Sequence, residues 1–544
     1  MFSLGLLSLL QVWFLPGLAL LVFAKKIRLI DKLILSLPLS VTLNYIIVFS
    51  LIIFNSYNQI TLFILILIEI FLIILFLKKD NFVNRDIKKI VAFFEFKKLK
   101  AKFNVIDIFI IFIFLIYLFL ALSNVGNVLG KGDSVTYYMW TLDLINNQIP
   151  VKSYDYPQGA AILSSISFVL LNTLEIEFFS AAIFLIQPLW IFLIFYRSVF
   201  LLKKFDNQIK FSLIFVSIIV LYNFRHYLLY VNLPDATVAL GTIFGAYILI
   251  LILKYVKVGL NIETILFCFV MAYTALLKQV GIYTSILFPI IYSVLFYKKD
   301  KNVLKNFLLI FSIIFLIFSP WYLFKFYQSN IYGVNESSIW NVATSYNNYE
   351  NLFFHIFEVL KRLFGYAYIF VLILVYFSLK EKFAQKIFFV FLLPYFIIYT
   401  LTFGYEFRAF APAMAVVGIL CGVGMNNLIE TIKVKFKKNN IISIYRISIF
   451  FLMIFSLFFL NEKMDFEKLK YLNSQAMKKR GDYELNVLLY NFLDKNDKIK
   501  DIYVVRDYND LQLLPEMNHK FWDSSCLYFS EIYKKNLKKS YYIL

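Results

Sequence analysis

Ser153-Tyr154-Asp155-Tyr156-Pro157-Gln158-Gly159 leads into the apolar run Ala160–Leu174, and whether that run crosses a membrane decides the threading of everything after it. A spanning helix needs about 20 mainly apolar residues, and this run is shorter. Clearer candidates lie at roughly 2–24, 33–54, 60–77, 105–123, 178–196, 211–224, 235–253, 261–277, 280–297, 304–321, 366–379, 386–402, 411–428 and 441–460, which is about fourteen. The positive-inside rule arbitrates, because short loops rich in Lys and Arg stay in the cytoplasm. If 160–174 does not cross, seven alternate loops (25–32, 78–104, 197–210, 254–260, 298–305, 380–386 and 430–440) carry a net +22. The opposite segments, 124–158, 223–235, Lys278, 322–365 and 403–410, then sum to zero. If the run crossed, every later basic loop would change sides. It is therefore read as a juxtamembrane or re-entrant helix on the outer face, a form tolerated where protein or a cavity covers it.

Composition agrees with a membrane reading. Of 544 residues, 61% are hydrophobic and 16% charged, whereas soluble domains carry about 25% charged residues. The 63 Phe and 38 Tyr, against 17 Gly and 11 Pro, exclude a collagenous or disordered chain. A formal charge of +20 would suggest nucleic acid in a soluble protein. Here the loop sums account for it as topology, and no nucleic-acid partner is expected. Cys268, Cys421 and Cys526 offer no disulfide framework or metal-ligand spacing, and His226, His355 and His519 are equally scattered.

The expected fold is an all-α polytopic membrane protein with a small C-terminal α/β domain outside the cytoplasm. Phe2–Ala24 is followed, not preceded, by Lys25, Lys26 and Arg28, the reverse of a secretory signal, so it reads as a retained first span with its N-terminus outside. Residues 1–104 form accessory spans and a basic cytoplasmic loop. Residues 105–460 are expected to form the main membrane module, with the outer loop 124–158 and the helix at 160–174. Residues 461–544 change character: Leu485, Leu488, Leu489 and Phe492 stand at helical spacing, and Ile502-Tyr503-Val504-Val505 reads as a strand.

Polar residues then sort by side, and the outer loops hold the candidates for chemistry. Gly132-Asp133-Ser134 opens a helix that stops before Pro150, and Asp133, Tyr137, Trp140 and Leu144 share one of its faces. A carboxylate at the mouth of a span, beside rings able to stack on a sugar, is an active-site pattern; the plainer alternative is that Asp133 caps its helix. Arg225 and His226 precede Asn232-Leu233-Pro234-Asp235, Lys278-Gln279 occupies a tight outer turn, and Gly404-Tyr405-Glu406-Phe407-Arg408 joins two late spans. Lys278 and Arg408 would otherwise snorkel to headgroups, Asp235 cap its helix, and Glu406 pair with Arg408. Cations at the less basic face suit a lipid phosphate. Glu69 is the one acid near the middle of a span. It reads either as a proton relay or, preferably, as a hydrogen bond to a neighbouring helix.

Gly132-Asp133-Ser134 with Tyr137-Tyr138-Met139-Trp140, then Tyr156-Pro157-Gln158-Gly159, resembles the first outer loop of the GT-C glycosyltransferases, in particular the protein mannosyltransferase and aminoarabinose transferase type. Asn232-Leu233-Pro234-Asp235, Leu277-Lys278-Gln279-Val280-Gly281 and Arg408 with Pro412 fit the same pattern, as does Phe14-Leu15-Pro16-Gly17. The resemblance covers roughly 105–425. It implies inverting transfer of a sugar from a polyprenyl-phosphate donor to a lipid, glycan or protein acceptor on the extracytoplasmic face of a bacterial inner membrane. Asp133 would match the catalytic carboxylate, Asp235 a second acidic position, and Arg408 or Lys278 the phosphate binder. Tyr137, Trp140, Tyr156, Gln158, Arg225, His226 and Glu406 complete the expected substrate-binding set. Ser134 stands where many members carry a second acid, and no Asp-x-Asp occurs, so no metal is carried over and no cofactor is required. Two other readings share the lipid-linked substrate: a transporter or flippase, marked by repeats and midplane charges, and a polysaccharide polymerase or ligase.

Overall fold

The computed structural model describes residues 2–79, 105–124, 133–150, 157–172, 178–221, 235–256, 258–332, 352–402, 407–435, 501–504 and 520–523. Nearly all of these are helical. In chain order the α-helices are α1 (Phe2–Trp13), α2 (Leu15–Leu21), α3 (Leu29–Ile53), α4 (Gln59–Lys79), α5 (Val105–Asn124), α6 (Asp133–Ile145) and α7 (Gly159–Leu171). They continue as α8 (Phe178–Ile186), α9 (Trp190–Leu201), α10 (Asp206–Val216), α11 (Asp235–Lys254), α12 (Ile262–Leu277), α13 (Gly281–Phe296) and α14 (Val303–Tyr332). The last are α15 (Leu352–Phe364), α16 (Tyr368–Ser378), α17 (Lys382–Ile387), α18 (Leu393–Thr402) and α19 (Ala411–Lys435).

Among the described residues, six helices are long and apolar enough to cross a membrane, or eight if each of two bent pairs is one span. The count expected from apolar runs is about fourteen, and several of those runs are interrupted. The first is bent by 44° between α1 and α2, where Pro16 opens the second piece. The runs at 60–77, 105–123, 261–277 and 280–297 form shorter apolar helices, and that at 211–224 contains a π turn at Ser217–Leu221, whereas those at 178–196 and 386–402 stay among the six despite a 3-10 turn at Gln187–Leu189 and a π turn at Phe388–Leu392. The run at 366–379 is preceded by α15, which meets α16 at 94°. The run at 441–460 lies outside the described residues.

Side-chain contacts sort the loops into two ends. At one, Arg197 Nε and Nη2 donate to the two carboxylate oxygens of Asp31 at 2.6 and 3.0 Å, and Tyr247 donates to the same carboxylate at 2.6 Å. Lys210 pairs with Asp107 at 2.9 Å, Arg28 lies 4.8 Å over the Tyr255 ring, and Lys380 donates to Thr431 at 3.0 Å. All of these join segments in or beside the basic loops. At the other end Gln59 donates to the Leu170 carbonyl at 2.8 Å, Lys325 to the Pro150 carbonyl at 3.1 Å, and His355 Nε2 lies 3.0 Å from the Thr400 carbonyl.

This partition settles the threading of α7. Its first residue, Gly159, is packed so tightly on the Leu276 carbonyl that a Cβ would collide with it, and its penultimate residue accepts from Gln59. Both neighbours belong to the less basic end, so α7 starts and finishes there without crossing. It ends earlier than the apolar run, at Asn172 in the left-handed conformation (φ 52°), which closes the last turn. Every residue of α7 is buried. The protein covers it, which is the condition for keeping such a helix at membrane depth.

The core lies around α7, α11, α12 and α19, which are buried almost throughout. Between α10 and α19 a side chain at Gly418 or Gly422 would run into Val216 or Ser212, and Ser212 donates to the Ile419 carbonyl at 3.1 Å. Small residues permit this approach where lipid supplies little force to press helices together. Helix α14 is the contrary case. Among its described residues a stripe of Asn306, Ile310, Ile314, Phe318, Trp321 and Lys325, with Ser319 beside it, is buried, while Leu304, Leu308, Leu316, Leu323 and Phe326 face outward. In the tail, strands β1 (Asp501–Val504) and β2 (Lys520–Asp523) pair in parallel, with Ile502 opposite Phe521. The remainder of 461–544, including the helix expected around Leu485–Phe492, lies outside the described residues.

Candidate functional site

Of the expected site residues, Lys278 and Gln158 lie at the last turn of α12. Lys278 follows that helix directly, in extended backbone (φ −157°, ψ 147°), and its N–H reaches back to the Thr274 carbonyl at 3.1 Å. Its own carbonyl accepts from Gly281, the first residue of α13, at 2.9 Å. Thr274 braces the turn by donating to the Gly281 carbonyl at 3.1 Å, and Ser285 ties α13 back to the Met271 carbonyl at 2.7 Å. A cation here sits at a helix C-terminus, whose exposed carbonyls favour positive charge. Lys278 is only 7% exposed, so it is enclosed by protein and does not snorkel to the headgroups.

Three neighbours are brought against this turn. Gly159 packs on Leu276 and so places fully buried Gln158 beside it. Tyr322 of α14 donates to the Ala275 carbonyl at 2.9 Å. Tyr273 of α12 donates to the Thr237 carbonyl at 3.0 Å, fixing the start of α11, whose first residue is Asp235. Helix α11 in turn holds α19, since Thr242 donates to the Pro412 carbonyl at 2.7 Å. The 3-10 turn Phe407–Phe410 that precedes α19 carries half-buried Arg408 and is anchored by Tyr395, which donates to the Ala409 carbonyl at 2.6 Å.

Asp133 is the first residue of α6, as Asp235 is of α11, so each acid opens a helix where partial positive charge favours it. Tyr137 and Trp140 do share a face of α6, their ring centroids 5.0 Å apart at 83°. Both are buried, however, and Thr141 on the same helix lies 3.4 Å from the Ala161 carbonyl of α7. The rings therefore pack within protein and present no open sugar-stacking surface. Tyr156, Arg225, His226 and Glu406 lie outside the described residues.

One further cation belongs to this end. Lys325 is 2% exposed, on the buried stripe of α14, one turn after Trp321, whose ring lies 5.7 Å from its ammonium. The sequence reading ends the span at Trp321, just after Pro320, and counts Lys325 only as loop charge; the helix instead continues to Tyr332. The signal was the spacing: Ile314, Phe318, Trp321 and Lys325 recur at helical intervals. Lys278 and Lys325 thus place two enclosed cations at the end of the bundle that carries no net loop charge. Lysine ammonium groups are a common partner for phosphate.

No protein-family model and no curated protein matches the chain. Among solved structures, it resembles ArnT from Cupriavidus metallidurans bound to undecaprenyl phosphate, at 11% identity and a TM-score of 0.50, over 79% of this chain and 88% of that one. The apo state of the same protein aligns at 11% identity and a TM-score of 0.46, over 77% and 86%. The likeness is one of fold, and it extends across most of both chains.

Proposed function

We propose that this protein is an inverting GT-C-type glycosyltransferase that moves a sugar from a polyprenyl-phosphate donor to a lipid, glycan or protein acceptor on the extracytoplasmic face of a bacterial inner membrane. The observation that supports this reading is the burial of two lysines, Lys278 and Lys325, at the end of the bundle whose loops carry no net charge. Asp133 and Asp235 open helices packed at that same end. The ArnT-like fold supports it, because the ArnT structure binds undecaprenyl phosphate.

In this mechanism Asp133 takes the proton of the acceptor hydroxyl as its oxygen attacks the anomeric carbon from the face opposite the phosphate. The bond from the anomeric carbon to the phosphate oxygen breaks, its electron pair leaves with the lipid phosphate, and the configuration inverts. Lys278, Lys325 and Arg408 stabilise the charge that grows on the departing phosphate. No metal or cofactor is required, so a chelator should leave the rate unchanged.

The test uses purified protein in nanodiscs with a radiolabelled polyprenyl-phosphate sugar. Asp133→Asn should keep its melting temperature and lower turnover by roughly 10²–10⁴, the usual contribution of a positioned general base. Unchanged turnover would remove Asp133 from the mechanism. Movement of the donor across the bilayer with no new glycosidic bond would replace the transferase reading with a flippase, and long products would replace it with a polymerase.

A further inference from the structure

Near the middle of the bilayer, three polar side chains from three helices meet. Glu69 is the eleventh residue of the 21-residue α4, so it lies about 15 Å along the helix from Gln59 at the less basic end. Gln11 of α1 donates from Nε2 to Asn44 Oδ1 of α3 at 3.0 Å and to Glu69 Oε1 at 3.3 Å, and Asn44 Nδ2 donates to the Gln11 carbonyl at 2.9 Å. Gln11 and Asn44 are fully buried and Glu69 is 8% exposed.

The hydrogen-bond accounting of this cluster is short by one atom. Both N–H groups of the Gln11 amide are used, one on each partner. Two oxygens remain buried without a donor, Gln11 Oε1 and Glu69 Oε2. They belong to the same two side chains already joined through Nε2 and Oε1. A single proton on Oε2 would satisfy both: the carboxylic acid O–H would donate to the amide carbonyl while the acid carbonyl accepts from the amide N–H, closing an acid–amide ring. A carboxylate there would leave a charge in hydrocarbon with one donor, which costs several kcal/mol.

Among the described residues, no cation lies on the helices packed about the site away from their basic ends. Helices α1, α2 and α7 carry no charged residue. The charges of α3, Asp31 and Lys32, sit at its basic end, where Asp31 is paired with Arg197. The charges of α4 besides Glu69 are Lys78 and Lys79, its last two residues. The titratable phenol nearest in sequence, Tyr45, packs its ring beside Phe49 and Trp321.

We propose that Glu69 is a proton-binding site in the membrane core, its carboxyl held in the acid form against the Gln11 amide and so clasping α4 to α1 and α3. Neither the sugar-transfer reading nor the phosphate site depends on it.

The test is infrared difference spectroscopy of the full chain in nanodiscs at neutral pH, wild type minus Glu69→Gln. The expected result is one un-ionised carboxyl carbonyl band assigned to Glu69, shifted to higher frequency in Gln11→Leu, where its hydrogen-bond partner is gone. A carboxylate doublet with no un-ionised band would overturn the proposal. Stability gives a second arm that holds if Gln11→Leu does not fold. Glu69→Gln mimics the acid, since its amide donates to Gln11 Oε1 and accepts from Nε2, and should melt within a degree or two of wild type. Glu69→Asp, too short to close the ring, should melt several degrees lower. A Glu69→Gln protein that melts as low as Glu69→Asp would show that the charge, not the proton, is what the site holds.

Discussion

The side-chain amide of Asn147 pairs with both backbone polar atoms of Tyr57: Oδ1 accepts from the Tyr57 N–H at 2.8 Å and Nδ2 donates to the Tyr57 carbonyl at 3.1 Å. Asn147 adopts φ 58°, a left-handed backbone that Asn tolerates better than most residues. Tyr57 extends the link, its hydroxyl 2.8 Å from Ser165 Oγ on α7. The connection between α3 and α4 is thereby fastened to the end of α6 and the middle of α7, the two helices that frame Gln158 and Asp133. Replacing Asn147 by Ala removes two hydrogen bonds and strains the backbone, a loss of about 2–3 kcal/mol. Asn147→Gly relieves the strain alone and should fall between Ala and wild type. Exposed Asn146→Ala is the control with no change. Thermal melting in detergent ranks the three.

Lys325 separates a phosphate contact from a structural lysine. Lys325→Met keeps the stem against Trp321 and removes the charge, so donor KM should rise by about tenfold or more with kcat changed little, the pattern of lost ground-state binding. Lys278→Met should show the same split. Initial rates at varied donor concentration measure it. Equal donor KM in Lys325→Met and wild type would confine Lys325 to its hydrogen bond with the Pro150 carbonyl.

Gly159→Ala tests the seating of α7. The new methyl group would land on the Leu276 carbonyl, a backbone atom that cannot rotate away. Either α7 or the last turn of α12 must shift, and overpacking of this kind costs about 1–3 kcal/mol. The shift would propagate to Gln158 and Lys278, so both melting temperature and turnover should fall. Gly259→Ala is not an equivalent control, because Gly259 has φ 129°, where any side chain is strained.

Which loops share an end of the bundle is legible in the sequence through loop charge, and the contacts of Asp31, Lys210 and Lys380 at one end, with those of Gln59 and Lys325 at the other, follow the same partition. Asp133 and Asp235 as helix openers were legible for the same local reason that acids favour first turns. The helical wheel puts Tyr137 and Trp140 on one face, where their rings do meet, but that both are buried is a tertiary fact that periodicity does not carry. Lys325 escaped because Pro320 lies close to the end of the apolar run. Within a membrane bundle a proline is tolerated inside a helix, and α14 continues for twelve residues beyond it. Asp31 was summed with a basic loop, yet it is fully buried in α3.

That burial sets the last prediction. Arg197 meets Asp31 with two parallel hydrogen bonds, the strong bidentate geometry, and Tyr247 supplies a third donor. The three residues join α9, α3 and α11 where these helices approach the basic end. Asp31→Asn would leave the guanidinium enclosed without a counter-charge, a loss of about 3–5 kcal/mol. Arg197→Met should cost about as much, since it strands the carboxylate. The double variant removes both charges at once and should recover most of the loss, because well-packed neutral groups often replace a buried pair without penalty. Melting temperatures of the four proteins form the cycle. If the double variant is as unstable as the sum of the singles, the pair is not the unit that holds these three helices together.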